Sequence, residues 1–414
     1  MPDPIGLTMR ITNALLSTGE LVDLTVNNGT ISLVEPADTT RQLPTDHDLD
    51  GWLLLPAMAE PHAHLDKALT ADLVPNPAGD LGGAIEAWID AATSGRITVE
   101  GTVERAASAM EMLLVRGVTA VRSHVNVGAG YGAAQVHAVH EARDRLGDLL
   151  HVQTVALVHS PLMGSDGAGN RAALDEAVDA GVDVVGGCPH LEPDGAGMIA
   201  HVLQVASDAG LPLDLHVDET LDTAVLTLPE FARQVIDTGF ANGASASHCV
   251  SLVMQTESVQ HDVAAVVGEA GMAVITLPQT NLFLQSRGIA TAAPRGLTAI
   301  DALVDAGVNV AAGADNVQDP FNLVGRSDPL ETAALLVMAG HRTPEDAYHM
   351  VSNAPRMAMG LAPVNFEVGD PADFVAIDAP TVRAAIADAP ITRQTFTAGR
   401  LVASATQHTT VSRP

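Results

Sequence analysis

From about residue 53 to residue 316 the chain repeats one pattern. A short apolar run rich in Val, Ala and Leu is followed by a longer segment with helical periodicity. Eight such runs occur: LLLPAMAEPHAH (53–64), VTAVRSHVNV (118–127), HVQTVALVHS (151–160), VDVVGGCP (182–189), LPLDLHVDE (211–219), GASASHCV (243–250), MAVITLPQ (272–279) and VNVAAGADN (308–316). Helical candidates lie between them, as at 103–117, 195–210 and 259–271, and several close on a glycine, as helix C-caps do. Near-continuous apolar strands alternating with helices predict a parallel sheet covered by helices. Eight of them predict a closed (β/α)8 TIM barrel, an α/β fold. No G-x-G-x-x-G follows the first run, which disfavours an open doubly wound sheet.

The pattern differs at both ends. MRITNALL, ELVDLTV and TISLVE read as short strands, with Asn27-Asn28-Gly29 marking a hairpin turn between the last two, and residues 36–50 are polar and irregular. Strand character returns after about residue 360 in ADFVAID, TRQTFTAG and RLVAS. The two ends are expected to meet in one small β-sandwich, built from residues 1–52 and 363–414, beside a barrel of residues 53–362.

Composition sharpens the class. Aromatic residues are only 3% of the chain, so the core must be built from aliphatic side chains. Fifty acidic residues against 20 basic ones give a formal net charge of −30, which argues against nucleic-acid partners because phosphate contacts need clustered Lys and Arg. No run reaches the ~18 apolar residues of a membrane span, and MPDPIGLTMR has no signal-peptide pattern. Two cysteines, Cys188 and Cys249, form no disulfide framework, so a cytoplasmic location is expected. A closed homo-oligomer is the general expectation for such an enzyme.

Polar residues with metal-ligand chemistry stand at the C-terminal ends of these runs, where a barrel gathers its functional groups. His62 and His64, two apart on a strand, point to the same side. The fifth run ends in His216-Val217-Asp218-Glu219, the sixth carries His248, and the eighth ends in Asp315. Three imidazoles and a carboxylate suit one Zn²⁺ or Fe²⁺ with a position open for water.

PHAHLDK, LHVDE, SHC and GADN, in this order and on these runs, resemble the amidohydrolase superfamily. HAHLDKALTAD, VTAVRSHVNV, GVDVVGGCPHLE and NVQDPF are similar to its cytosine deaminase branch, which also holds N-isopropylammelide amidohydrolase. GDPADFVAID and TAGRLVAS resemble the superfamily's β-sandwich strands. The resemblance implies that His62, His64, His216 and Asp315 bind one divalent metal, Zn²⁺ or Fe²⁺. It also implies that Glu219 shuttles protons and that His248 holds the attacking water or polarises the group under attack; Asp315 can in addition accept the water's proton. Binuclear members use a carboxylated lysine on the fourth strand. The fourth run has none and Lys67 is the chain's only lysine, so a single metal is expected; Cys188 reads as a small buried residue.

The expected function is hydrolytic deamination of an amino-substituted nitrogen heterocycle, a pyrimidine-, triazine- or pterin-like small molecule. The alternatives are hydrolysis of a cyclic amide or an N-alkylamino substituent, and, more remotely, a non-catalytic scaffold. Aligned with cytosine deaminase, His159 replaces the base-reading glutamine, Asn316 the acid after the metal-binding Asp, and Phe321 the tryptophan after Asp-Pro. A pocket that reads a ring edge by hydrogen bonds is sensitive to such changes, so cytosine is not the expected substrate. The substrate-pocket candidates are His159, Asn316, Phe321, Gln279, Asn281 and His124, with Asn126 beside them. Asp66 and Lys67 are expected to form an ion pair, the alternative being that Lys67 reaches the substrate.

Overall fold

A computed structural model describes residues 8–38 and 46–412. Its eight central strands are β1 (Met58–Ala63), β2 (Val118–Val127), β3 (His151–Val158), β4 (Val184–Gly187), β5 (Leu213–Val217), β6 (Ala244–His248), β7 (Ala273–Thr276) and β8 (Asn309–Ala312). Each pairs in parallel with its successor. A parallel bridge between Ala63 and Asp315 joins the last strand to the first and closes the ring. The fold is therefore the (β/α)8 barrel predicted from the repeat.

The connecting helices form where the sequence caps them and gives them one apolar stripe. Thr98 caps Val99–Val115 through Gly101 N–H, and that helix buries Val103, Ala106, Met110, Leu113 and Leu114 at helical spacing. Gly210 and Gly239 end their helices at φ 68° and 64°, the left-handed conformation that costs glycine little. The core between helices and barrel is built almost wholly of Ala, Val, Leu, Ile and Met.

The run 53–64, read above as one strand, is two. Leu53–Pro56 pairs antiparallel with Phe374–Ile377 in the chain-end sheet. Hydrogen bonding then switches: Ala57 N–H donates to Asp373, and Met58 N–H to Gly117 at the barrel wall. An unbroken apolar run carries no mark of a change of partner, so the pattern hid this junction.

The two chain ends share one eight-stranded sheet, running from Arg400–Ala405 through Arg393–Thr397, Phe374–Ile377, Leu53–Pro56, Thr8–Leu15 and Leu21–Asn27 to Thr30–Pro36. The predicted hairpin is present: Asn27 pairs with Thr30 across Asn28 (φ 51°) and Gly29 (φ 81°). The sheet folds back so that Ala398 and Gly399 pack against Gly29 and Val26 of the far edge. Ile11, Leu24, Ile31, Phe374 and Phe396 fill the space enclosed. The other face is tied to the barrel by the buried pair Arg393–Asp328, with two contacts of 2.8 and 2.9 Å. Of the stretch 36–50, residues 39–45 lie outside the described residues, and His47–Asp48 forms a short pairing with Ile11–Thr12. Among the described residues no helix is long and apolar enough to cross a membrane.

Candidate active site

The barrel brings His62, His64, His216, His248, Asp315 and Glu219 together at one mouth, all of them buried. His248 (φ 71°) and Asp315 (φ 67°) sit in the left-handed region at the point where their strands end. Such conformations are uncommon outside glycine and are held here by the surrounding structure, which turns each side chain into the mouth.

Three imidazole nitrogens and one carboxylate oxygen converge. His62 Nε2 is 3.1 Å from His216 Nε2, which is 3.3 Å from His64 Nε2. Asp315 Oδ1 is 3.2 Å from His64 Nε2 and 3.7 Å from His62 Nε2. Donor atoms around one ion at bonds of about 2.0–2.1 Å stand about 3.3 Å apart. Both carboxylate oxygens of Asp315 are buried with no hydrogen-bond partner, an arrangement that is costly without a compensating charge. Burial first, then neighbouring cationic groups, holds all three imidazoles well below their usual pKa, in the neutral form a metal needs. Burial, then the nearby Glu219, pushes Asp315 well above the carboxylate range. The donor set fits one divalent cation.

A buried network behind these residues orients them. His62 Nδ1 donates to Ser247 Oγ at 2.9 Å, and Ser247 donates to Asp214 Oδ1 at 2.9 Å, which leaves the Nε2 lone pair facing the mouth. Arg122 neutralises Asp214 at 2.8 Å. His64 Nδ1 is 3.0 Å from the His124 carbonyl, which likewise turns Nε2 inward. Glu60 spans the barrel seam, accepting from His62 N–H on β1 and from Ala314 N–H beyond β8; burial pushes its carboxyl up to about 8. Asp214, Ser247 and Glu60 were not singled out from the sequence. The available signal was alternation: Asp214 lies two positions before His216 and therefore on the same side of β5.

Within the sequence His216-Val217-Asp218-Glu219 the two acids divide their work. Asp218 accepts from Thr227 N–H, Thr227 Oγ–H and Leu228 N–H, fixing the loop into the helix Leu228–Thr238. Glu219 is left free to face the cavity. Burial pushes its carboxyl up to about 8, with Lys67 opposing. Its Oε1 lies 3.6 Å from His248 Nδ1, and that nitrogen donates to Asn281 Oδ1 at 3.1 Å. Burial holds His248 down at about 3, so it is neutral, with Nε2 3.9 Å from Asp315 Oδ2.

A cavity of about 350 Å³ opens over this cluster. Its apolar wall is Leu81, Ile85, Trp88, Ile89, Leu191 and Phe321; its polar wall includes Lys67, Asn126, His159 and Asn316. Asn316 Nδ2 donates to Asp319 at 2.7 Å, which holds this side chain at the cavity wall. His159 Nε2 lies 2.7 Å from Asn126 Nδ2 and 2.8 Å from the Tyr131 hydroxyl, and burial holds it at about 4. Cys188 also lines the cavity, its thiol pushed up to about 12 by burial.

Three pocket candidates stand elsewhere. Gln279 and Asn281 fall on the helix Pro278–Leu284, which turns them away from the cavity: Gln279 donates to Thr332 at 2.7 Å, and Asn281 holds His248. His124 is fully buried beneath the site, stacked on His62 at 3.8 Å between ring centres.

A closed parallel barrel with three histidines and an aspartate converging at its C-terminal mouth, beside a buried acid, defines a metal-dependent hydrolase. The chain belongs to the amidohydrolase family, whose sequence profile matches residues 98–403. It is 30% identical to a pterin deaminase of Rhizobium rhizogenes over 86% of this chain and 82% of that one. It is 22% identical to an N-isopropylammelide isopropyl amidohydrolase of a Pseudomonas strain over 91% of this chain and 93% of that one. The crystal structure of a 5-methylcytosine deaminase from Klebsiella pneumoniae, liganded with 5-fluorocytosine, superimposes with a TM-score of 0.87 at 26% identity, covering 98% of this chain and 99% of that one. The protein is thus an enzyme of the C–N bond-hydrolysing amidohydrolases.

Proposed function

We propose that the enzyme deaminates an amino-substituted nitrogen heterocycle. The observation that carries this reading is the grouping of Glu219, His248 and Asp315 on one wall of a cavity of ring dimensions. Deamination needs a proton delivered to a ring nitrogen and then to the departing amine. Glu219, its carboxyl held up at about 8 by burial, carries that proton at neutral pH.

His62, His64, His216 and Asp315 would hold one divalent ion, which when bound supplies Lewis-acid activation of water, lowering its pKa to roughly 7. The remaining steps belong to side chains. His248, with hydrogen on Nδ1, offers the Nε2 lone pair to an O–H of the attacking water. Asp315 Oδ2 accepts the proton the water loses. Glu219 gives its proton to the ring nitrogen beside the carbon under attack; as a carboxylate it then takes the hydroxyl proton of the addition product and passes it to the leaving amine, and the proton held by Asp315 restores the acid. The apolar wall around Trp88 and Phe321 keeps bulk water from these exchanges.

Among candidate rings, a bicyclic pterin-type ring is favoured by the pterin deaminase relative and by the breadth of the apolar wall. Two free cysteines, Cys188 and Cys249, support a reducing, cytoplasmic setting. The test is ammonia release by metal-reconstituted protein from a panel of pterins, cytosine, 5-methylcytosine, isocytosine, ammelide-type triazines and creatinine. Turnover of one ring, lost in Glu219→Gln, is expected. Ring opening or alkylamine release without ammonia would replace the deaminase reading.

A further inference from the structure

Lys67 is the single lysine of the chain, and it is only 2% exposed. The residue forms part of the polar wall of the cavity. It donates to Asn126 Oδ1 at 2.5 Å, and it lies 2.8 Å from His64 Nδ1. The expected ion pair with Asp66 is long, at 4.0 Å, and Asp66 is instead engaged with Asn126 N–H.

An ammonium has three donors and no acceptor. Asn126 takes one. His64 Nδ1, 2.8 Å from Nζ and 3.0 Å from the His124 carbonyl, can take at most one more. Among the described residues at least one N–H of Nζ is therefore left without an acceptor, on a residue that lines the cavity. The faces of Trp88 and Phe321, 5.7 and 5.4 Å from Nζ, keep this part of the cavity apolar. A hydrogen bond made there is stronger than one made in water, and a missing one is costlier.

We propose that Lys67 is a specificity-determining residue whose Nζ donates to an oxygen attached to the substrate ring. Asn126 acts with it as a positioning residue: its Oδ1 holds Nζ while its Nδ2 holds His159. The pocket thus selects aminoheterocycles bearing an oxo group over those without one. This rests on the ring-deaminating reading above and narrows its substrate class.

The experiment compares wild type and Lys67→Met on an oxo-substituted aminoheterocycle from the panel and on its analogue lacking the oxygen, with metal content measured in both proteins. The expected result is a loss in kcat/KM of about 10- to 100-fold on the oxo ring. The analogue is expected to change by less than about threefold, with metal retained. Equal losses on both rings, or loss of metal, would assign Lys67 a structural role and overturn the proposal, as would unchanged selectivity. If wild type releases ammonia from no ring, the deaminase reading fails separately. Lys67 is then decided by binding: lysine labelled with ¹⁵N at Nζ gives one side-chain signal, because the chain has one lysine. A shift of that signal with oxo rings alone supports the proposal; no shift, or the same shift with the analogue, overturns it.

Discussion

Glu219 Oε1 stands 3.6 Å from His248 Nδ1, the nitrogen whose hydrogen is already given to Asn281. The carboxyl therefore lies beside a neutral ring rather than an imidazolium, and nothing in the pair pulls its proton away. Glu219→Gln preserves shape and removes the acid. It is expected to retain the metal and lose at least about 10²-fold in kcat/KM, measured by ammonia release alongside metal analysis. Near-normal turnover would remove Glu219 from the proton path.

His62→Ala and His216→Ala each delete one donor from a set spaced 3.1–3.3 Å apart. Metal content is expected to fall from about one ion per chain to near zero after dialysis, since a structured site depends on its full ligand set. Full occupancy in either purified variant contradicts the ligand assignment.

Ser247→Ala breaks the path from His62 Nδ1 to Asp214 while leaving every metal donor in place. Metal affinity is expected to weaken about 10- to 100-fold, read by competition with a chelator. Unchanged affinity would mean that packing against His124, not the hydroxyl, orients the ring.

The metal-free protein is expected to lose stability as pH rises from about 7.5 to about 8.5. Burial holds Glu60 and Glu219 at about 8. In this window the folded protein keeps protons on these carboxyls that the unfolded chain, at its ordinary value near 4.5, has already released. Stability then falls with pH, by up to about 1.4 kcal/mol per pH unit for each group. The buried histidines have the opposite sign, but above about pH 7.5 the unfolded chain too has released nearly all of their protons. Thermal melts across the window should slope less steeply in Glu219→Gln than in wild type. A flat wild-type profile would contradict the burial account.

The barrel was legible because every strand is buried on both faces, which writes each as a continuous apolar run between helices. The site's histidines and acids were legible because each interrupts a run at the same end. Sequence order is a poorer guide once the chain leaves a strand. Gln279 and Asn281 follow β7 directly, yet Pro278 starts a helix there and carries both side chains off the cavity. The residues behind the ligands were hidden for the opposite reason. Ser247 and Asp214 lie inside strands, where a polar residue shows its purpose only when the neighbouring strand is known.

Leu53–Pro56, which leads directly into β1, pairs along its length with Phe374–Ile377 and meets Thr8–Leu15 only through Leu53 and Leu15. During synthesis the first barrel strand is therefore anchored on one side by a strand that has not yet been made. The ring also closes late, since Ala63 meets Asp315 only after the eighth strand exists. Pairings this distant along the chain are slow to form. Until they do, β1 carries His62, with His64 just past its end, on an unpaired backbone edge, so the nascent chain is at greatest risk of mispairing while half of its future metal donors are already exposed.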